Sequence, residues 1–477
     1  VSRAPYVSIH IPQALSGRRV STKDVVAAFV QEIETGRLPS GARLPPVRVL
    51  EKEIGLSKNT VQIAYDELVA RGLVVTKERE GAFVAERETA PSLAPSFGLP
   101  AAQLRPAPEM FGPPPAPSLL RLGQVFIEPS PLPRERFADC VRSVLRSPGL
   151  EPSYDAQGYL PLREAIAHRL NARGMDVTEQ NVIVTVGSQQ AIDIVCRALE
   201  VRRVATEDPV YPHARLLFES HALAMCGLPL DPFGPIDLDL WDARLRAHRP
   251  GLLYAITSYQ NPTGYSYSTT ELEAVCTMAG RYGFALLEDD WGSDMLSNSE
   301  YRPSLRLLAG QNVLYINSFT KKILPSLRIG FVVARGDQIG SLVAAKRLST
   351  LASAPLMEAA LAEFLSRGYY DTHLSGLQRE LDTRYELCLS TLRELMPASV
   401  RWTTPGGGPT LWLDVPRAID MKKLRARMAA RRVHLEDPSS AFYGAPHLHG
   451  FRIGYAYLPP HQLRPALEAL AEEMQRP

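Results

Sequence analysis

The stretch Ser318-Phe319-Thr320-Lys321-Lys322-Ile323-Leu324-Pro325-Ser326-Leu327-Arg328-Ile329-Gly330 sets a primary amine among small hydroxyl residues. An amine condenses with an aldehyde, while Ser318, Thr320 and Arg328, the last seven positions beyond Lys321, suit the phosphate of the same ligand. A phosphorylated aldehyde held as a Schiff base on Lys321 is therefore the chemistry this segment suggests. Ordinary solvated charge is the competing reading of any Lys-Lys pair, and partners elsewhere in the chain must decide between them.

Those partners need elements to position them. Ile183-Val184-Thr185-Val186 reads as a strand ending at Gly187-Ser188-Gln189-Gln190, with a helix from Ala191 to Leu199. Strand, small polar turn and helix N-terminus together aim backbone amides at an anion. Val201 to Thr206 is the next strand, leading to Glu207-Asp208-Pro209-Val210-Tyr211-Pro212. Leu252 to Ile256 ends in Ser258-Tyr259-Gln260-Asn261-Pro262-Thr263-Gly264, and Phe284 to Leu287 ends in Glu288-Asp289-Asp290-Trp291. Val313 to Asn317 then enters the lysine segment. Short apolar strands alternating with helices predict a mainly parallel sheet covered on both faces, with ligands at the carboxyl ends of the strands. Asn261 precedes Asp289 by 28 positions and Lys321 follows it by 32. Glu288 and Asp290 compete with Asp289 as the functional acid, and Lys322 competes with Lys321. Gly406-Gly407-Gly408 before Leu411-Trp412-Leu413 reads as a turn into a strand.

Ahead of this body the pattern is different. Ser21 to Asp24 offers caps for an amphipathic helix through Ile33, and Pro45-Pro46 opens a second helix from Val47 to Ile54. Ser57 caps a third, from Lys58 to Arg71, which Gly72 stops. Leu73 to Thr76 and Ala82 to Ala85 alternate like two strands around a charged tip. Between head and body, Pro91, Pro95, Pro100, Pro106, Pro108, Pro113, Pro114, Pro115 and Pro117 exclude helix and central strand. An extended polyproline spacer over 89–118 would reach roughly 90 Å.

Composition bounds these readings. A chain of 477 residues, 45% apolar and 22% charged, has room for two or three globular domains. A net charge of +2 announces neither nucleic acid nor membrane. Five scattered cysteines without a Cys-x-x-Cys favour reduced thiols in cytosol. No apolar run reaches the ~18 residues of a membrane span, so a cytoplasmic protein with no membrane partner is expected.

Two resemblances add to this. Gly36-Arg37-Leu38-Pro39-Ser40-Gly41-Ala42-Arg43-Leu44-Pro45-Pro46-Val47-Arg48, Leu56-Ser57-Lys58-Asn59-Thr60-Val61 and Leu68-Val69-Ala70-Arg71-Gly72-Leu73 resemble GntR-type winged helix-turn-helix domains over about 65 residues. That resemblance implies that Arg43, Arg48, Ser57, Lys58, Asn59 and Thr60 meet double-stranded DNA, with Gly81 at the wing tip where the family often has two glycines. The ordered set Asn261, Asp289, Lys321 resembles fold-type I aminotransferases, which depend on pyridoxal 5′-phosphate, over roughly the last 350 residues. It implies that Lys321 forms the Schiff base, that Asp289 keeps the pyridine nitrogen protonated, and that Asn261 bonds the ring hydroxyl. Tyr211 would stack on the ring, and Ser188, Gln189, Ser318, Thr320 and Arg328 would hold the phosphate. Arg452, in Phe451-Arg452-Ile453-Gly454-Tyr455, would bind a ligand carboxylate. Packing for Tyr211 and surface charge for Arg452 are the alternatives. Trp291 departs from the family, which often places there a tyrosine that donates to the ring hydroxyl.

In that order the parts resemble the MocR/GabR family of transcription regulators. The expected fold is multidomain: a winged helix-turn-helix over 18–88, a proline-rich linker over 89–118, and an α/β fold-type I pyridoxal-phosphate-dependent transferase domain over 119–477. The resemblance implies a head-to-tail homodimer that senses, through Schiff-base chemistry, either the cofactor itself or a small amino compound carrying a carboxylate or sulfonate. The alternative is a catalytically active aminotransferase with an accessory N-terminal domain.

Overall fold

The computed structural model describes residues 21–78, 80–86, 116, 118–147, 155–295 and 303–475. All but Ala116 and Ser118 of the expected linker lie outside them. The chain divides into two compact units, 1–106 and 107–477.

In the first unit, α1 (Thr22–Glu34), α2 (Val47–Ile54) and α3 (Lys58–Ala70) precede a hairpin of β1 (Val74–Lys77) and β2 (Gly81–Val84). A capping box at Ser21 starts α1, Gly55 with φ of 67° ends α2, and Ser57 caps α3. Val25, Phe29, Leu44, Leu50, Val61, Ala64 and Leu68 form the core. Tyr65 stands edge-on to Phe29 and donates its hydroxyl to Pro45 O at 2.7 Å, which locks the α2 entrance against α3. This is a winged helix-turn-helix. Gly81 opens β2 opposite Lys77 and is not itself the wing tip.

The second unit begins with β3 (Leu120–Arg121), α4 (Arg134–Arg146) and α5 (Leu160–Asn171). Its centre is a sheet of β4 (Val182–Thr185), β5 (Arg203–Asp208), β6 (Ala224–Pro229), β7 (Leu252–Ala255), β8 (Ala285–Asp289), β9 (Val313–Ser318) and β10 (Gly330–Val333). Their spatial order is β4-β10-β9-β8-β7-β5-β6. All neighbours are parallel except that β10 runs antiparallel to β4 and β9. Alternate side chains feed two cores: Leu252, Tyr254 and Leu287 enter one, and Leu253, Ala255 and Leu286 the other. The helices are α6 (Gly187–Ala198), α7 (Pro212–Ser220), α8 (Leu238–His248), α9 (Thr269–Tyr282), α10 (Leu305–Ala309), α11 (Gly336–Thr350) and α12 (Pro355–Ser366). The long α13 (Tyr369–Leu395) leads to a smaller lobe of β11 (Arg401–Trp402), β12 (Leu411–Asp414), α14 (Met421–Ala430), β13 (Val433–His434), β14 (Gly450–Ile453) and α15 (Pro460–Met474). There β12 pairs with β11 and β14, and β13 pairs in parallel with β3. Among the described residues no helix is long and apolar enough to cross a membrane.

Three local readings change. The helix expected from Ala191 starts at Gly187, because Gln190 Oε1 accepts the Val186 amide at 2.8 Å and closes an earlier turn. Strand β8 runs on through Asp289, whose register opposite Ile316 continues the ladder. Strands β6 and β10 were not anticipated.

Beneath the end of β9, Lys322 is fully buried. Its Nζ donates to Asp294 Oδ1 at 2.8 Å and Asn317 Oδ1 at 2.7 Å, and Tyr370 donates to Asp294 Oδ2 at 2.7 Å. Burial disfavours the Asp294 charge, but Lys322 and Arg173 outweigh it and hold the carboxyl down at about 2. Asp294→Ala leaves an uncompensated buried cation and is expected to destabilise the unit by ~3–5 kcal/mol. Lys322→Met added to it should restore most of that loss, both read from denaturant unfolding of the full chain.

Candidate functional site

One cavity of about 880 Å³ opens at the carboxyl ends of the strands of the large sheet. Ser188, Gln189, Tyr211, Asn261, Asp289, Ser318, Thr320, Lys321, Arg328 and Arg452 all line it. Ten residues spread over 265 positions of sequence converge because each lies in or beside an element whose direction the sheet and the adjoining lobe set.

At one end, α6 points its N-terminus inward. Gly187 has φ of 73°, and a Cβ there would lie 2.9 Å from Arg328 Nη2. Only glycine lets the guanidinium approach the helix start this closely. Arg328 itself has φ of 50° and donates to Val186 O at 3.4 Å. Ser318 Oγ donates to Thr320 Oγ1 at 3.0 Å and accepts the Thr320 amide at 3.2 Å, which fixes both hydroxyls beside the helix end. Gln189 Nε2 is held by His213 O at 3.1 Å. Helix dipole, guanidinium and hydroxyls make an anion cradle.

At the middle, Asp289 is buried and accepts the Tyr254 hydroxyl on Oδ2 at 2.9 Å, while Oδ1 is buried without a hydrogen-bond partner. Burial pushes its carboxyl up to about 6, against the Tyr254 hydrogen bond and the Lys321 charge. The rival acids turn away. Glu288 accepts Thr257 Oγ1 and the Leu305 and Arg306 amides, and Asp290 accepts Ser293 and Tyr315. Strand alternation separates Asp289 from both. Lys321 likewise faces the cavity while Lys322 is spent below it. Trp291 donates its indole N–H to Tyr259 O at 3.2 Å and lays its ring 3.9 Å from Lys321 Nζ, so it serves as a platform for the amine.

At the far end, Arg452 donates from Nε to Gly123 O at 2.8 Å, from Nη1 to Asn261 Oδ1 at 2.6 Å, and from Nη2 to Glu436. The arginine thereby orients the Asn261 amide and turns its donor nitrogen away from the guanidinium. Tyr211 caps the start of α7, its ring 5.4 Å from that of His213. Sequence reasoning missed Tyr254, His213, Glu436 and Arg121. Tyr254 reads as one more apolar strand residue, and the other three carry no spacing signal: Arg121 ends β3, His213 opens α7 and Glu436 follows β13.

In the first unit, Ser57 Oγ accepts the Thr60 amide at 3.2 Å and lies 2.8 Å from Thr60 Oγ1, so both hydroxyls shape the start of α3. Lys58 and Asn59 are exposed beside them, and Arg48 is exposed on α2. Arg43 instead reaches the hairpin and donates to Glu80 O at 2.8 Å.

Burial brings the Lys321 amine down from 10.5 to about 7; Asp289 opposes the shift, while Arg452, Arg328 and Lys322 add to it. An unfolded chain holds that proton up to 10.5, so it binds more protons than the folded one between about 7 and 10.5. The Lys321 contribution to stability is therefore expected to rise with pH across that window, and Lys321→Met should flatten the pH dependence by that amount. At pH 7 the cofactor-free protein carries on Lys321 about 10³ times more neutral amine than an ordinary lysine does. A lysine-directed acylating reagent should therefore label Lys321 first, as read by peptide mass spectrometry.

Residues 134–470 match the family model for aminotransferase class I and II, and residues 21–84 that for bacterial regulatory proteins of the gntR family. The chain is 27% identical over 459 residues to a probable rhizopine catabolism regulatory protein, MocR, of Rhizobium meliloti, covering 92% of this chain and 90% of that one. It is 26% identical over 464 residues to the HTH-type transcriptional regulator TauR of Rhodobacter capsulatus, covering 93% and 94%. The structure of LysN, an α-aminoadipate aminotransferase of Thermus thermophilus complexed with N-(5′-phosphopyridoxyl)-L-leucine, superposes with a TM-score of 0.70 at 28% identity, over 75% of this chain and 92% of that one. The fold implies pyridoxal 5′-phosphate, and the cavity fits it. The partnerless Asp289 Oδ1, the Lys321 amine and the Gly187–Arg328 cradle share one cavity, a set whose chemistry suits a ring N–H, an aldehyde and a phosphate. The chain belongs to the class I and II aminotransferase family, carries a gntR-type head, and shares that two-part architecture with the regulators named MocR and TauR.

Proposed function

We propose that this pyridoxal-phosphate-dependent, DNA-binding regulator senses a small amino compound in the cavity of its large unit and answers through its N-terminal unit. The observation that carries the reading is a helix-turn-helix unit on the same chain as a cavity that gathers Lys321, Asp289 and an anion cradle. Bound there, the cofactor supplies an aldehyde that condenses reversibly with primary amines. Each residue has a task in this reading. Lys321 competes with the incoming amine for that carbonyl, and burial keeps enough of it neutral near pH 7 to do so. Asp289 holds a proton on the ring nitrogen. Ser188, Gln189, Ser318, Thr320 and Arg328 anchor the phosphate, Tyr211 covers the ring, and Asn261 donates to its hydroxyl. Arg452 receives the effector's carboxylate or sulfonate. Arg48, Lys58 and Asn59 reach DNA from an exposed face; Ser57 and Thr60 set the helix start, and Arg43 stiffens the wing beside it. Release of Lys321 shifts the large unit between two shapes. A head-to-tail homodimer in the cytoplasm completes the reading.

A second reading is an aminotransferase with an accessory head, favoured by the intact Asn261, Asp289 and Lys321. Steady turnover of an amino donor and a keto acceptor at ~1–10³ s⁻¹ would establish it. For the regulator, DNA fragments selected by the full-length protein are titrated without cofactor, with cofactor, and with cofactor plus an amine panel. Lys321→Ala is expected to lose both the visible absorbance of attached cofactor and the amine-dependent change in DNA affinity. An amine response that survives in this variant sinks the proposal. A response to cofactor alone makes the cofactor the signal.

A further inference from the structure

We propose that Glu436 is a resident counter-anion on Arg452 that the effector's own anion displaces, and that the exchange is felt at β3. This rests on the reading of Arg452 as the effector's anion site. The Arg452 guanidinium is committed on every nitrogen: Nε to Gly123 O, Nη1 to Asn261 Oδ1 and Nη2 to Glu436. With Nε given to a carbonyl and Nη1 to the Asn261 amide oxygen, Nη2 is the nitrogen already committed to an anion, and that anion is Glu436. Two carboxylates cannot share that nitrogen without repulsion. An amine with no anion meets no such competitor.

Glu436 is able to leave. Its side chain is 39% exposed, whereas that of Arg452 is 11% exposed. Arg121, His213 and His434 line the same cavity, and the Glu436 charge already acts on both histidines.

The pair also grips the first strand of the large unit. Gly123 follows β3, and a methyl group there would lie 3.2 Å from Arg452 O and 3.3 Å from Glu436 Cγ. The Glu436 stem therefore packs directly on Gly123, and the Arg452 head holds the Gly123 carbonyl. Strand β13, two residues before Glu436, pairs with β3 through Val433–Leu120 and His434–Arg121, and Leu122 N donates to His434 O at 3.1 Å. Displacing Glu436 removes a packing partner of the residues that follow the proline-rich stretch. The ligand class this favours is an amine whose carboxylate or sulfonate binds strongly enough to replace a carboxylate of the protein itself.

The test uses the cofactor-loaded full-length protein, with ω-amino carboxylates of three to six carbons and the matching n-alkylamines as probes. Binding is followed by calorimetry and by cofactor absorbance. Glu436→Gln is expected to tighten the best amino carboxylate by about tenfold or more and to move the alkylamines by less than about twofold, since it removes a competing charge and keeps the shape. An unchanged or weaker preference for the carboxylates overturns the proposal, as do amino carboxylates that bind neither protein. Arg452→Gln should erase the preference; if the preference survives there, the reading of Arg452 as the anion site is what has failed. Hydrogen exchange over 118–124 is expected to change when the amino carboxylate is added and to stay unchanged with the alkylamine. No change with either overturns the link to β3.

Discussion

The buried contact of Lys322 with Asp294 and Asn317 is the constraint on which the rest of the site depends. Two adjacent lysines follow β9, and only one can enter the cavity. Lys322 is removed from water altogether, a state that a lone ammonium would not tolerate, and Asp294, Asn317 and Tyr370 compensate it. Asp294 is in turn within 3.9 Å of Arg173, and His373 contacts the Lys322 carbonyl at 2.6 Å, so the turn after α5 and the helix α13 both bear on this point. Once Lys322 is fixed below, the backbone leaves Lys321 facing up, over the Trp291 ring and toward Asp289.

The cavity itself is an arrangement of charges kept partly unsatisfied. Arg328 and the start of α6 gather positive potential at one end, Arg452 does so at the other, and Asp289 sits between them with one oxygen unpaired. Burial away from water strengthens each interaction and shifts both titrating groups toward neutrality: the Asp289 carboxyl rises and the Lys321 amine falls. Both shifts leave those groups ready to exchange protons or partners near neutral pH. Trp291 contributes a π face where a hydroxyl donor is common, and its own N–H is spent on Tyr259 O. The amine is thus steadied by a surface and not by a directed hydrogen bond.

Legibility followed the length scale of each interaction. Lys321, Asp289, Asn261 and the Ser188–Gln189 turn were readable because each sits in a short motif just beyond an apolar strand, where a parallel sheet places its ligands. Helices α1 to α3 and their hairpin were readable from caps and glycine stops. The start of α6 was not, because a side-chain cap from Gln190 to the Val186 amide decided it. Strands β6 and β10 escaped because one carries glycine and proline and the other follows a long irregular loop. Glu436 escaped because nothing within Leu435-Glu436-Asp437 distinguishes it from surface charge.

By itself, then, the amino-acid sequence determined the order of the parts, the parallel character of the sheet and the short motifs that supply the lysine, acid and amide of the cavity. These depend on local pattern and on the direction of strands, both of which are encoded in short windows. Tertiary structure alone decided which of Glu288, Asp289 and Asp290 faces the cavity and why Lys322 does not. It also decided that Arg452 already holds Asn261, Glu436 and Gly123 at once. Those outcomes turn on side-chain burial and on contacts between residues up to 329 positions apart, and no local window contains them.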